Sequence, residues 1–134
     1  MAVVLKSKRG KTFVTSAAHW SVFVNVAQCH GWQPAGTLAP PLWPRGEIWS
    51  GQYGTQDGQR VSDGDARALA AALYEAARGE EVARVLRDVI GQVELAAERS
   101  GIASRPGERM QPRDFFGEFS PLLRLLYDGE FAIE

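Results

Sequence analysis

From Gly31 to Gly58 the chain carries prolines at 34, 40, 41 and 44 and glycines at 36, 46, 51, 54 and 58. Proline has no backbone N–H and a locked φ, so no regular helix can run through this stretch. Any fold must therefore be built from the segments on either side. The same stretch holds Trp32, Trp43, Trp49 and Tyr53, whereas disordered linkers are poor in aromatic residues. It reads as an ordered loop over 31–58, packed on the body by its rings, with a short strand at Glu47 to Tyr53.

The segment that follows has the opposite character. Ser62 can accept from the backbone N–H of Asp65, and Asp65 can answer back, as in a capping box. Ala66, Leu69, Ala70, Leu73, Tyr74 and Ala77 form one apolar stripe, ended by Gly79. A second stripe follows almost at once: Val82, Val85, Leu86, Val89, Ile90, Val93 and Ala97. So short a joint between amphipathic helices implies an antiparallel pair.

The ends complete the fold. Val3 to Leu5 and Thr12 to Thr15 are β-prone runs around Lys8-Arg9-Gly10-Lys11, which predicts a hairpin. In 16–30, Trp20, Phe23, Val24 and Ala27 keep helical spacing, Thr15 or Ser16 can cap the start, and Gly31 can supply the left-handed stop. Val22, Val24 and Val26 alternate as in a strand, but the caps favour a helix. Gly101 to Arg113 is a polar loop around Pro106-Gly107. In 114–127, Pro121 starts or kinks a helix, Asp128-Gly129 is a turn, and Phe131-Ala132-Ile133 is a final strand pairing with the N-terminal ones. The expectation is one α+β domain over 1–134, with three to four helices beside a small antiparallel sheet from the chain ends.

Cysteine and charge narrow the function. One cysteine, Cys29, excludes an intrachain disulfide and a multi-cysteine zinc site. The apolar start is too short for a signal peptide, and no run of about 18 apolar residues exists, so a cytoplasmic protein is expected. Lys6, Lys8, Arg9 and Lys11 give the first eleven residues +4 with no acid, so the other 123 carry −5 of the net −1. An acidic body with a short basic start is not the footprint of a dedicated nucleic-acid binder. Those four residues, with Phe13 to stack on a base, still define a nucleic-acid alternative; a solvated edge strand uses charges the same way.

Familiar catalytic patterns fail on geometry. On one helix, His19 and His30 lie eleven residues apart, about 16 Å along the axis, whereas ligands of one metal approach within about 4 Å. Cys29 and His30 are adjacent, and helical neighbours point about 100° apart, so a nucleophile–base pair is poorly served. A buried thiol beside a helix-terminal His fits better. An unfamiliar enzyme site around His19 and Cys29 ranks last. Counted from Asp57, the third, fifth, sixth and twelfth positions are Gln59, Val61, Ser62 and Ala68, which is not a calcium loop. No phosphate loop or nucleophile elbow is present, and no cofactor is called for.

What remains is a candidate partner surface at Trp32, Trp43, Arg45, Trp49 and Tyr53. Either these rings only cover the helices, or one or two stay exposed as anchors, since Trp, Tyr and Arg most often dominate interfaces. Gly31-Trp32-Gln33-Pro34-Ala35-Gly36-Thr37, Asp57-Gly58-Gln59-Arg60-Val61, Asp65-Ala66 with Leu69-Ala70-Ala71-Ala72-Leu73, and Phe131-Ala132-Ile133 together resemble a group of small uncharacterised bacterial proteins. Those proteins carry GW-x-P-x-GT, DGQ-x-V and DA-x-x-LA-x-AL motifs, and they include candidates for toxin-neutralising immunity. The resemblance implies an accessory or immunity-type role but no biochemical activity. The expectation is a non-enzymatic inhibitor that occludes a protein partner, such as a toxin or enzyme, whose basic surface the acidic body would attract.

Overall fold

The computed structural model describes residues 2–99 and 110–134. Most of the polar loop expected at Gly101 to Arg113 lies outside the described residues; Arg113 already belongs to a helix. Strand β1 (Ala2–Ser7) sends Val3, Leu5 and Ser7 inward, and β2 (Thr12–Ser16) sends Phe13 and Thr15 inward. This period-two pattern buries one sheet face. The strands pair antiparallel, with Val4 opposite Val14 and Leu5 opposite Phe13. Phe13 is buried, so it offers no ring to a nucleic-acid base.

Helix α1 (Ala17–Cys29) begins where the Ser16 hydroxyl accepts from the His19 N–H at 3.0 Å, and Gly31, at φ 88°, takes the left-handed turn after it. Helical period wins over the alternating valines: Val22 and Val26 are buried with Trp20, Phe23 and Ala27, while Val24 is half-buried. Strand β3 (Gln59–Val61) is only three residues long, too short for periodicity to reveal. Its neighbour in the sheet is β4 (Phe131–Ile133), which also pairs with β1. The order is β2-β1-β4-β3, all antiparallel, so the two chain ends meet at the centre of the sheet as expected. No strand forms at 47–53; that stretch is irregular.

Three helices fill the rest: α2 (Asp63–Arg78), α3 (Val82–Arg99) and α4 (Pro112–Tyr127). The Ser62 hydroxyl accepts from Asp65 N–H at 3.4 Å, but the Asp65 carboxylate does not return to the cap. It accepts from Trp32, Ala35 and Tyr53 instead. Tyr74 leaves the apolar stripe for solvent, where the Arg78 guanidinium lies over its ring. Helix α3 packs chiefly on α1 rather than on α2 and buries only Leu86 and Val89 fully. Helix α4 starts at Pro112, where the missing N–H costs nothing, and continues through Pro121. Beneath the sheet, Trp20 meets Phe131 edge-on at 6.3 Å and Phe23 stacks on Phe115 at 5.0 Å.

The Asp128-Gly129 turn shows why that glycine is there. Gly129 has φ 92°, which side chains resist. A Cβ on it would also sit 2.2 Å from the Asp63 carboxylate, which accepts from Glu130 N–H at 2.6 Å.

Candidate functional site

Residues 36–51 form a closed loop of the Ω type, with its ends together and its own side chains as filling. Thr37 N–H donates to the Gly51 carbonyl at 3.0 Å. Gly36 and Gly51 lie against each other at the neck, and both have positive φ, 95° and 72°, which side chains resist. The Thr37 hydroxyl completes the closure, donating to Gln52 O at 2.6 Å and accepting from Trp49 Nε1 at 3.0 Å. One threonine thus joins both arms of the loop to its aromatic filling.

The tip is two successive turns, closed by Trp43 N–H to Pro40 O at 3.0 Å and Glu47 N–H to Pro44 O at 3.2 Å. Trp43 and Trp49 meet edge-to-face at 4.8 Å, and Trp43 Nε1 donates to Glu47 O at 3.2 Å. Edge-to-face ring pairs are the favoured packing of aromatic quadrupoles. With the indoles turned toward each other, the aliphatic side chains point out. Leu42 is 95% exposed and Ile48 93%, with Arg45 exposed between them in sequence. Leu42 and Ile48 are the most exposed of the large hydrophobic side chains among the described residues.

The foot of the loop rests on Asp65, which is buried in the first turn of α2. One carboxylate oxygen accepts from Trp32 Nε1 at 3.0 Å and from Ala35 N–H at 3.3 Å; the other accepts from the Tyr53 hydroxyl. That hydroxyl accepts in turn from Gly36 N–H at 2.9 Å. Burial, and then the Asp65 carboxylate beside it, push the Tyr53 phenol well above its ordinary pKa, so it remains a hydrogen-bond donor. Trp32 meets Tyr53 edge-on at 5.1 Å, and Trp20 Nε1 donates to Tyr53 O at 2.8 Å. Downstream, the fully buried Gln59 side chain donates to Thr55 O at 2.6 Å and accepts from Asp57 N–H at 2.9 Å.

The five loop residues expected from sequence therefore separate into three groups. Trp32, buried, and Tyr53, half-buried, belong to the foot; Trp43 and Trp49 are half-buried filling; Arg45 is exposed. The outermost residues, Leu42 and Ile48, were not among them. Their signal was an aliphatic residue beside each tip tryptophan, in Pro-Leu-Trp-Pro and Glu-Ile-Trp. A ring large enough to fill the loop is used inside it, which leaves the aliphatic neighbours outermost.

The basic hairpin is partly committed elsewhere. Lys8 Nζ lies 3.1 Å from Asp63, and Lys11 Nζ 3.2 Å from Asp128, which also accepts from the Ser7 hydroxyl. Glu130 N–H, and then Lys8, hold the Asp63 carboxyl below its usual range. Burial raises that of Asp128, but Lys11 and Ser7 outweigh it and the net shift is downward. Lys6 and Arg9 are exposed, with no ion pair among the described residues.

His19 is tied into the body, its Nδ1 2.7 Å from Glu118, which also accepts from the Thr15 hydroxyl at 2.5 Å. Cys29 is exposed rather than buried as its sequence context suggested, because it falls on the outer face of the last turn of α1. It stands ten residues from His19, about 15 Å along the helix, so the two form no site. His30, whose buried Nε2 has no hydrogen-bond partner among the described residues, flanks a shallow groove of about 440 Å³ over Ala68, Ala71 and Ala72. Among the described residues no group of three or more His, Cys, Asp and Glu is placed to hold a metal, and no helix is long and apolar enough to cross a membrane. Comparison of the chain with family models, curated proteins and solved structures returns no match.

Proposed function

We propose that this chain is a non-enzymatic interaction protein that grips a protein partner with the tip of the 36–51 loop. The resemblance to small bacterial proteins with immunity-type candidates makes a toxin or enzyme, neutralised by occlusion, the partner class we favour. One observation carries the reading: Leu42 and Ile48 stand almost fully exposed on a loop held by hydrogen bonds at its neck, tip and foot. A preorganised loop loses little conformational entropy on docking, and aliphatic anchors entering a partner's cleft supply the burial. The acidic body would speed capture of a basic partner without setting the contact.

The test is affinity capture from a lysate of the source organism on immobilised protein, comparing wild type with the Leu42→Asp/Ile48→Asp double variant. Both positions are surface, so stability should change by no more than about 0.5 kcal/mol each. A protein retained by wild type and lost from the folded double variant is the expected result. Identical retention on both would refute the loop as the contact.

A further inference from the structure

We infer that the chain self-associates through β2, joining two four-stranded sheets into one of eight strands across a two-fold axis at Val14. The two edges of the sheet are treated differently. At the β3 edge the outward backbone groups of Arg60 are satisfied by Leu38, with Leu38 N–H to Arg60 O at 2.8 Å and the reverse bond at 3.1 Å. At the β2 edge nothing plays that part among the described residues.

Register decides which groups face outward. Ser7 N–H donates to Lys11 O at 2.9 Å, so the Ser7–Lys11 pair is a hydrogen-bonded one. Antiparallel pairs alternate, so Phe13 and Thr15 bond to β1 while Thr12, Val14 and Ser16 turn their N–H and C=O groups to the open edge. Ser16 O lies at the N-cap, where it serves α1. A second copy of the strand running antiparallel, with Val14 opposite its own symmetry mate, pairs all five residues. Four bonds follow: Val14 N–H to Val14 O in both directions, and Ser16 N–H to Thr12 O twice.

The strand lacks the features that keep edges apart. Thr12-Phe13-Val14-Thr15-Ser16 has no charge, proline or bulge. The flanking Lys11 is paired with Asp128, and the self-pairing register sets no charged residue of one β2 opposite a charged residue of the other. Val14 is 60% exposed and lies beside Val4 on the outer sheet face. The two-fold places Val4, Val14 and their mates in one four-valine stripe. Self-complementarity of this kind is what an isologous contact requires, and the stripe is completed only by an occupant that carries the Val4–Val14 pair itself, which favours a second copy.

So few contacts make a small interface, and such interfaces are transient. Sedimentation velocity of the full chain, from about 1 µM to about 1 mM, should show mass rising from 14.7 kDa towards twice that value. Val14→Pro removes the outward N–H but no bond to β1, and edge strands tolerate such a proline; it should stay monomeric throughout. Val14→Lys keeps the N–H and sets two cations across the axis, and should weaken association at least tenfold. Amide exchange at Val14 should slow with concentration in wild type. Wild type that stays monomeric at every concentration overturns the inference, as does association equally strong in the folded Val14→Lys variant. These outcomes are independent of the loop, whose variants leave β2 untouched.

Discussion

Replacing Asp65 with alanine tests how the loop is held. The carboxylate is the shared acceptor for Trp32 Nε1, Ala35 N–H and the Tyr53 hydroxyl. Ala35 is exposed and can turn to water, but the indole N–H of Trp32 is buried. A hydrogen bond to a charged group contributes about 1.5–3 kcal/mol. Losing two such bonds is offset in part because no carboxylate need then be desolvated. The expected cost is about 3 kcal/mol, a large part of a typical 5–15 kcal/mol stability. In a chain of this size that corresponds to a melting temperature lower by about 10 °C. Urea unfolding followed by tryptophan fluorescence measures it. Tyr53→Phe alone should cost about 1–2 kcal/mol, and the double variant should fall short of the sum by at least about 1 kcal/mol, because both changes remove one bond. A loss under about 1 kcal/mol for Asp65→Ala, or strict additivity, would refute Asp65 as the anchor of the loop.

Two further outcomes follow from the same geometry. Gly129→Ala combines a positive φ with a Cβ driven into the Asp63 carboxylate, so it should cost more than about 2 kcal/mol in urea unfolding; a change within about 0.5 kcal/mol would show that the turn relaxes freely. Asp63 and Asp128 have carboxyls lowered from 3.8, so their contribution is full above that value and is lost as pH falls through the folded pKa values. The urea midpoint of wild type should exceed that of the Asp63→Asn/Asp128→Asn variant at pH 6, and the gap should close as pH drops below 3.8; a constant gap would exclude this linkage.

Local chemistry made several elements readable without tertiary information. Ser16 and Ser62 cap α1 and α2, the basic turn with Gly10 joins a hairpin, and Asp128-Gly129 leads into the last strand. Each rests on residues within a few positions of one another, so spacing along the chain is also spacing in space. The proline-rich stretch is read the same way: missing N–H groups preclude a helix at 36–51 whatever surrounds it.

What sequence left open depends on partners far along the chain. Asp65 looked like the returning half of a capping box, but Trp32 and Tyr53, 33 and 12 residues before it, take its oxygens. Lys8 and Lys11 looked like free basic charges until Asp63 and Asp128, 55 and 117 residues away, came beside them. Strand β3 exists because β4 offers it a ladder, since three residues carry no period of their own. The candidate contact surface is the sharpest case. Composition marked the 31–58 stretch as aromatic, but which side chains fill the loop and which face solvent was decided by closure of its neck at Gly36 and Gly51. Once the indoles are drawn together inside, Leu42 and Ile48 have only solvent to face.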